Sequence, residues 1–524
     1  MAKTGDIIET RITRFDGGMV GDARNPRPNT CRASVNFDAI SNPFRLTPYQ
    51  QSESGDSSAS TSKKRNFQIA LRTGTTYSLY ALGVQSGNTR AEILYKNITV
   101  SGAANDMNDA TWDNTGVHQS GAGTSTDFDL FKYYQKTGRI YGARDGTHIW
   151  SYDPAGSVAF NDTELAVTYT NIEQGIVHSH DDILYIPIDN KIYRNDSGDW
   201  SNGQPVLTIP SHYQISAICE YGTRIAIAAI PISGFGNSRV FIWSRDAGTE
   251  FLIDSIDWGE GRIEVLEEVE GFLLGVSVLE SAAGTSSSIL RRKVQFKYFN
   301  DAPGGVLPTR GAKLIDEFTG SGSMGLIRNR QKRYNRVHFM MVITMDGIDR
   351  GGVWSIGLNR AGQWAITLER THDNTTTATS VDFYNFIYAG DYLFQAYVSG
   401  GAFALSKTDE DPNTYASNSA IYITKILNAD DSSLKKDLIG VSVTTEPLTT
   451  SGTYTLGYKI DDTIDDSTAF TTIFTEGTDN SISFATTASL PKDYKELALR
   501  IVSTGVEITG ISLKERVAGK KSYT

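Results

Sequence analysis

Short apolar or alternating runs rich in Val, Ile, Tyr, Phe and Trp recur along the whole chain between clusters of Gly, Asn, Asp and Ser. Long stretches with apolar residues at spacings of three and four are missing. A period of two broken by turn residues marks many short antiparallel strands, so the chain reads as all-β. From about residue 66 to 412 the unit is a strand pair around a tight turn that ends in an aromatic-rich strand. Arg139-Ile140-Tyr141-Gly142-Ala143 turns at Asp145-Gly146 into His148-Ile149-Trp150-Ser151-Tyr152. Asp182-Ile183-Leu184-Tyr185-Ile186 turns at Asp189-Asn190 into Lys191-Ile192-Tyr193-Arg194, and Tyr392 to Tyr397 turns at Gly400-Gly401 into Ala402 to Leu405. The unit returns at roughly 40–50 residues, the period of four-stranded propeller blades, which predicts a β-propeller of about seven blades over 66–412. A single twisted four-stranded sheet cannot shield both faces, and radial stacking solves this. Two consecutive β-sandwiches would give strands of the same length, but not that regular spacing.

The flanks differ in texture. Residues 1–65 read as an extended N-terminal arm: Asp16-Gly17-Gly18-Met19 is turn chemistry, Pro26, Pro28 and Pro43 each lack a backbone donor, and Ser52 to Ser62 is a polar low-complexity loop. After Pro412 the strands grow longer and richer in Thr, and 418–518 predicts a C-terminal antiparallel β-sandwich followed by a polar tail at 519–524.

With 524 residues, more than one domain is expected. A formal charge of −11 argues against a broad grip on nucleic acid, because phosphate neutralisation dominates that affinity. Cys31 and Cys219 cannot build a disulfide framework, which suits assembly in a cytoplasm. The opening MAKTGDIIETRITRF has no apolar core, so no export signal is expected. The longest apolar run, Ile225 to Ile232, is too short to span a membrane.

Chemistry-bearing patterns are few. No G-x-S-x-G, H-E-x-x-H or P-loop is present, so no catalytic, cofactor or metal site is expected. His178-Ser179-His180-Asp181-Asp182 is the most metal-like cluster, since residues two apart on a strand share a face, and a hairpin entry explains it as well. Asp430-Asp431, Asp461-Asp462 and Asp465-Asp466 lack Ca²⁺-loop spacing and read as solvated turns. Ser244 to Phe251 resembles the Asp-box turn of sialidase-type propellers, a folding element; it occurs once and without an arginine triad, so sialidase activity is not expected. Arg328, Arg330, Lys332, Arg333 and Arg336 form the strongest basic run of an acidic chain, a subunit interface or DNA-facing loop if it is not simply solvated. Lys63 to Arg65 and Arg291 to Lys293 pose the same question more weakly.

Arg14-Phe15-Asp16-Gly17-Gly18-Met19, then Asp22-Ala23-Arg24, Phe37-Asp38 and Leu46-Thr47-Pro48-Tyr49, resemble the start of many bacteriophage tail proteins. Phe241 to Ser244, Ile256-Asp257 and Gly271 to Leu274 are similar to propeller strands of the tail nozzle proteins of short-tailed phages, and Tyr494 to Ile501 to their closing sandwich strands. The resemblance implies a virion tail protein, assembled in the host cytoplasm: a nozzle or hub ring on the DNA-ejection channel, hexameric, binding connector proteins and tail fibres. DNA would pass without sequence recognition. It also implies that Phe15, Gly17, Gly18, Arg24, Phe37, Leu46 and Pro48 form an assembly arm that docks on a neighbour. The alternative is a carbohydrate- or receptor-binding propeller for host adhesion or depolymerisation, with Trp112, Trp200 and Trp364 as candidate sugar platforms.

Overall fold

A computed structural model describes residues 5–518 except 22–26, 28, 56–61, 74–75, 86–90, 99–106, 108–110, 120–129, 145, 157–159, 233–235, 246–251, 282–290, 301–310, 321–329, 346–347, 374–380, 391, 400–401, 409–413, 416–419, 429–432, 449–450, 465–468, 478–481 and 487–489. Among these residues the only helical turns are Ser201–Gly203 and Asp461–Ile464; every other regular element is a strand. The chain divides into two compact units, one of residues 53–341 and 379–408, the other of 1–52, 342–378 and 409–524.

The first unit is a β-propeller. Blade 1 is Ser62–Thr73, Thr76–Gln85, Ala91–Asn97 and Asp113–Gln119; blade 2 is Phe131–Tyr134, Arg139–Arg144, His148–Tyr152 and Phe160–Ala166. Blade 3 is Ile176–His178, Ile183–Ile188, Lys191–Asn195 and Leu207–Thr208, and blade 4 is Tyr213–Tyr221, Arg224–Pro231, Ser238–Trp243 and Leu252–Gly259. Arg262–Val269, Phe272–Ser281, Arg291–Phe299 and Lys313–Gly320 make blade 5. Blade 6 opens with Arg330–Arg333 paired antiparallel to Arg336–Met345; Ile348–Leu358 and Trp364–Thr371, which follow along the chain, fall in the other unit. Blade 7 is Val381–Ala389, Tyr392–Ser399 and Ala402–Thr408, with Ser52–Ser54 as its fourth strand.

Apolar residues on both faces of each blade bury themselves against the next one. Tyr80 and Ile93 of blade 1 pack on Ile140 and Trp150 of blade 2; Tyr141 on Leu184 and Ile186; Ile192 on Ile218 and Ile227; Ile256 and Trp258 on Leu266 and Leu273. Phe296 meets Phe339 at 6.1 Å between ring centres, and Tyr388 meets His338 at 5.2 Å. Phe394 and Ala396 of blade 7 return to Phe67 and Leu79 of blade 1, which closes the circle. Gly275 of blade 5 shows how tight the stacking is: a Cβ there would lie 2.5 Å from a ring carbon of Trp258 in blade 4.

The second unit is a sandwich. One sheet places Ile7–Ile12, Val506–Val517, Lys436–Pro447 and Ile482–Thr486 side by side in that order. The other contains, in order, Trp364–Thr371, Cys31–Val35, Ala420–Thr424, Leu497–Thr504, Thr453–Ile460 and Thr471–Gly477, part of a nine-stranded sheet. Tyr422, Tyr454, Tyr494, Leu456, Ile501 and Ile508 are buried between the sheets.

The fold class matches the sequence reading, and the boundaries shift. The sandwich takes strands from 1–52 and 342–378 as well as from the C-terminal segment, and Ser52–Ser54 joins a propeller blade. The N-terminal segment is therefore not a free arm. Single strands such as Ile7–Ile12 add to sheets of their own chain because their ladder donors and acceptors must be paired once buried.

Candidate functional site

Phe15, Phe37, Leu46 and Pro48 are all buried in the sandwich unit, where Phe15 meets Tyr422 edge-on at 5.4 Å and Leu46 exchanges backbone bonds of 2.9 and 3.1 Å with Ile508. The Gly17-Gly18 pair is needed for close approach. A Cβ on Gly17 would sit 2.3 Å from the Asn29 carbonyl, and Gly18 (φ 71°) lies against the Ile366 backbone. These positions are core contacts of their own chain, which corrects their reading as docking residues. Arg24 falls outside the described residues.

The basic run meets acidic partners one blade upstream. Arg330 Nε donates to Glu267 at 2.9 Å and its terminal nitrogen to the Ile218 carbonyl; Lys332 pairs with Glu268 at 3.2 Å; Asn335 donates to Glu270 at 2.9 Å. Arg333 lies over the Tyr334 ring at 4.8 Å and the Tyr388 ring at 4.6 Å, and Arg336 is buried. Arg330 and Lys332 thus pair with carboxylates of blade 5. Arg328 falls outside the described residues. Tyr334 and Asn335, both with positive φ, form the hairpin turn, and the Tyr334 ring is 82% exposed.

The first strands of the blades are knit by side chains that mimic a sheet ladder. Gln68 accepts from the Tyr133 N–H at 3.1 Å, Gln174 from Phe131 at 3.5 Å, and Gln331 from Tyr388 at 2.8 Å. Lys132 of blade 2 feels the charges of Glu220 of blade 4, Glu267 of blade 5 and Arg330 of blade 6. Burial lowers the affinity of Lys132 for its proton, Arg330 lowers it further, and Glu267 and Glu220 oppose the shift. Glu220 is held by the Ser179 N–H and by the Ser179 hydroxyl at 3.1 Å.

His178 is buried, donating through Nε2 to the Arg224 carbonyl (3.2 Å), while its Nδ1 accepts from the His180 N–H at 3.2 Å. Nδ1 serves the hairpin entry and Nε2 reaches a strand of blade 4, and Asp181 is engaged by Tyr185 at 3.0 Å and by Arg245. Among the described residues no group of three or more His, Cys, Asp or Glu is placed to hold a metal. Trp112 is buried with its N–H donated to Gly55 at 2.9 Å, Trp200 is buried edge-on to Tyr141 at 5.6 Å, and Trp364 is half-buried. The Asp-box positions 246–251 and the acidic pairs 430–431 and 465–466 lie outside the described residues. Lys293 pairs with Glu317 at 2.7 Å.

This chain is an all-β protein built on a β-propeller, with a second β-sandwich unit. No family model and no curated protein matches it. Among solved structures it is similar to the N-terminal domain of Nup159 (8% identity, TM-score 0.39, covering 69% of this chain and 94% of that one). It is also similar to the β-propeller domain of the Trilobed protease from Pyrococcus furiosus (12%, TM-score 0.34, 67% and 97%). A third likeness is to XC5397, a gluconolactonase from Xanthomonas campestris (12%, TM-score 0.29, 70% and 99%).

Proposed function

We propose that the protein is a structural component of a bacteriophage tail, the nozzle or hub ring that borders the DNA-ejection channel and anchors connector proteins and fibres. The observation that carries this reading is the threading of the N-terminal segment. Its Phe-Asp-Gly-Gly turn is packed inside the sandwich, Ile7–Ile12 is laddered to Val506–Val517, and Ser52–Ser54 completes blade 7. Both ends of the described chain are thereby tied into one sheet, and pulling either loads a whole ladder of hydrogen bonds at once. Such a body suits a part that transmits force. The net charge of −11, with Arg330 and Lys332 already neutralised by Glu267 and Glu268, leaves little to hold passing phosphate.

Electron microscopy of the purified protein tests the reading. Ring-shaped particles, and no retention of duplex DNA at physiological salt, are expected. A strictly monomeric particle under virion-like conditions overturns it.

A further inference from the structure

The four-stranded sheet of the sandwich unit ends on two open edges. In its order the first strand, Ile7–Ile12, and the last, Ile482–Thr486, have no strand beyond them among the described residues. Open edges are normally blunted by Lys, Pro or a bulge. The last strand reads Ile-Ser-Phe-Ala-Thr, with none of these in its sequence and no irregularity in its register with Gly440–Thr444. Instead it exposes two large apolar side chains two residues apart, Phe484 at 71% and Ile482 at 48%, while Ser483 between them is buried. The opposite edge exposes Ile7 at 61%.

Register places all three on one face. Phe484 lies beside Ser442, Ser442 beside Ser512, and Ser512 beside Arg11, so Phe484 and Arg11 share a face. Ile482 is two residues from Phe484 and Ile7 four from Arg11, so both point the same way. The strands alternate in direction through three antiparallel pairs, so the two edge strands run oppositely. That parity suits a head-to-tail partner. If a second copy is rotated about an axis roughly along the strands, its last strand meets the first strand of its neighbour antiparallel. The alternation then continues across the joint, and the exposed apolar side chains stay on one face of the combined sheet. A sheet of three or five strands would have forced a parallel joint.

We propose that Ile482–Thr486 of one copy adds to the outer edge of Ile7–Ile12 of the next, a head-to-tail β-augmentation that makes the sandwich sheet continuous around the oligomer. Because the two edges differ, the contact is heterologous and generates a ring when the rotation closes. The inference rests on the ring-forming reading above and names the surface that builds the ring.

The test uses the full chain. Sedimentation velocity and electron microscopy should show wild-type rings and, for Ile482→Lys with Phe484→Lys, monomers whose circular dichroism and melting are unchanged, association weakening at least tenfold. As an arm independent of that variant's folding, Glu9→Cys combined with Phe484→Cys and treated with a short bismaleimide should give a ladder of linked copies, whereas either single variant gives none. Rings that persist in the double-lysine variant together with no ladder overturn the inference and leave the ring reading standing. Self-linking of Phe484→Cys alone overturns the head-to-tail geometry. A wild type that stays monomeric at every concentration overturns both readings.

Discussion

At the residue scale, burial dominates the chemistry of the ionisable groups. Cys31 and Cys219 are both buried, and desolvation pushes both thiols up, Cys219 well above the ordinary range. A thiolate is the reactive species, so neither should react with an aromatic disulfide reagent in the native protein, and two thiols per chain should appear in denaturant. Glu515 is buried in the sandwich unit, where it accepts from the Tyr494 hydroxyl at 2.7 Å. Burial raises its pKa, and Tyr494 and Lys436 only partly offset this. A carboxyl raised above its unfolded value contributes stability that is complete below the unfolded pKa and is lost as pH rises through the folded one. Glu515→Gln keeps an acceptor for Tyr494 and removes the titration. Its stability relative to wild type in urea titrations should therefore improve as pH rises above the ordinary carboxyl value of 4.5 and level off once the folded pKa is passed; a constant difference would refute the assignment.

Among elements, the strand that closes blade 7 is the one to probe. Gly55 donates to the Leu405 carbonyl at 2.8 Å, and Glu53 pairs at 2.6 Å with Lys407, whose side chain is buried. Removing one partner leaves a buried charge without its counter-ion, which costs about 3–5 kcal/mol when both groups are buried. Glu53 is a third exposed, so Glu53→Ala should cost about 2 kcal/mol, read as a lowered denaturation midpoint with an unchanged slope. The blades themselves were legible because their alternation is local and their turns carry suitable residues. Asp189 takes positive φ at the hairpin where Asp189-Asn190 was read as a turn, and Gly146 does the same. The partners of the basic run carry a signal in the sequence: Glu267-Glu268 and Arg330-Gln331-Lys332 occupy first strands of successive blades. Recognising that offset requires knowing which strands are first.

On the scale of the whole molecule, the two compact units are not successive segments. The chain passes between them after residues 52, 341, 378 and 408. A fragment of 66–412, the propeller as read from sequence, lacks Ser52–Ser54 and carries Trp364–Thr371 without its neighbour Cys31–Val35. Open edges of that kind invite aggregation. Expressed alone, this fragment should be insoluble or molten, with dye binding and lost near-ultraviolet dichroism, while the full chain gives a cooperative melt; a soluble, cooperatively folding fragment would contradict the interleaving.

The sequence by itself determined the strands, their turns and the propeller class, because a period of two and positive-φ turn residues act within a few positions of one another. Tertiary structure alone decided where Ile7–Ile12 and Ser52–Ser54 pair, that Phe15 and Leu46 are core, and that Arg330 meets Glu267. Those outcomes depend on ladders and charges brought together from positions tens to hundreds of residues apart. The hexamer Ile-Ile-Glu-Thr-Arg-Ile, read with the rest of 1–65 as an extended arm, does not encode the address of its neighbour.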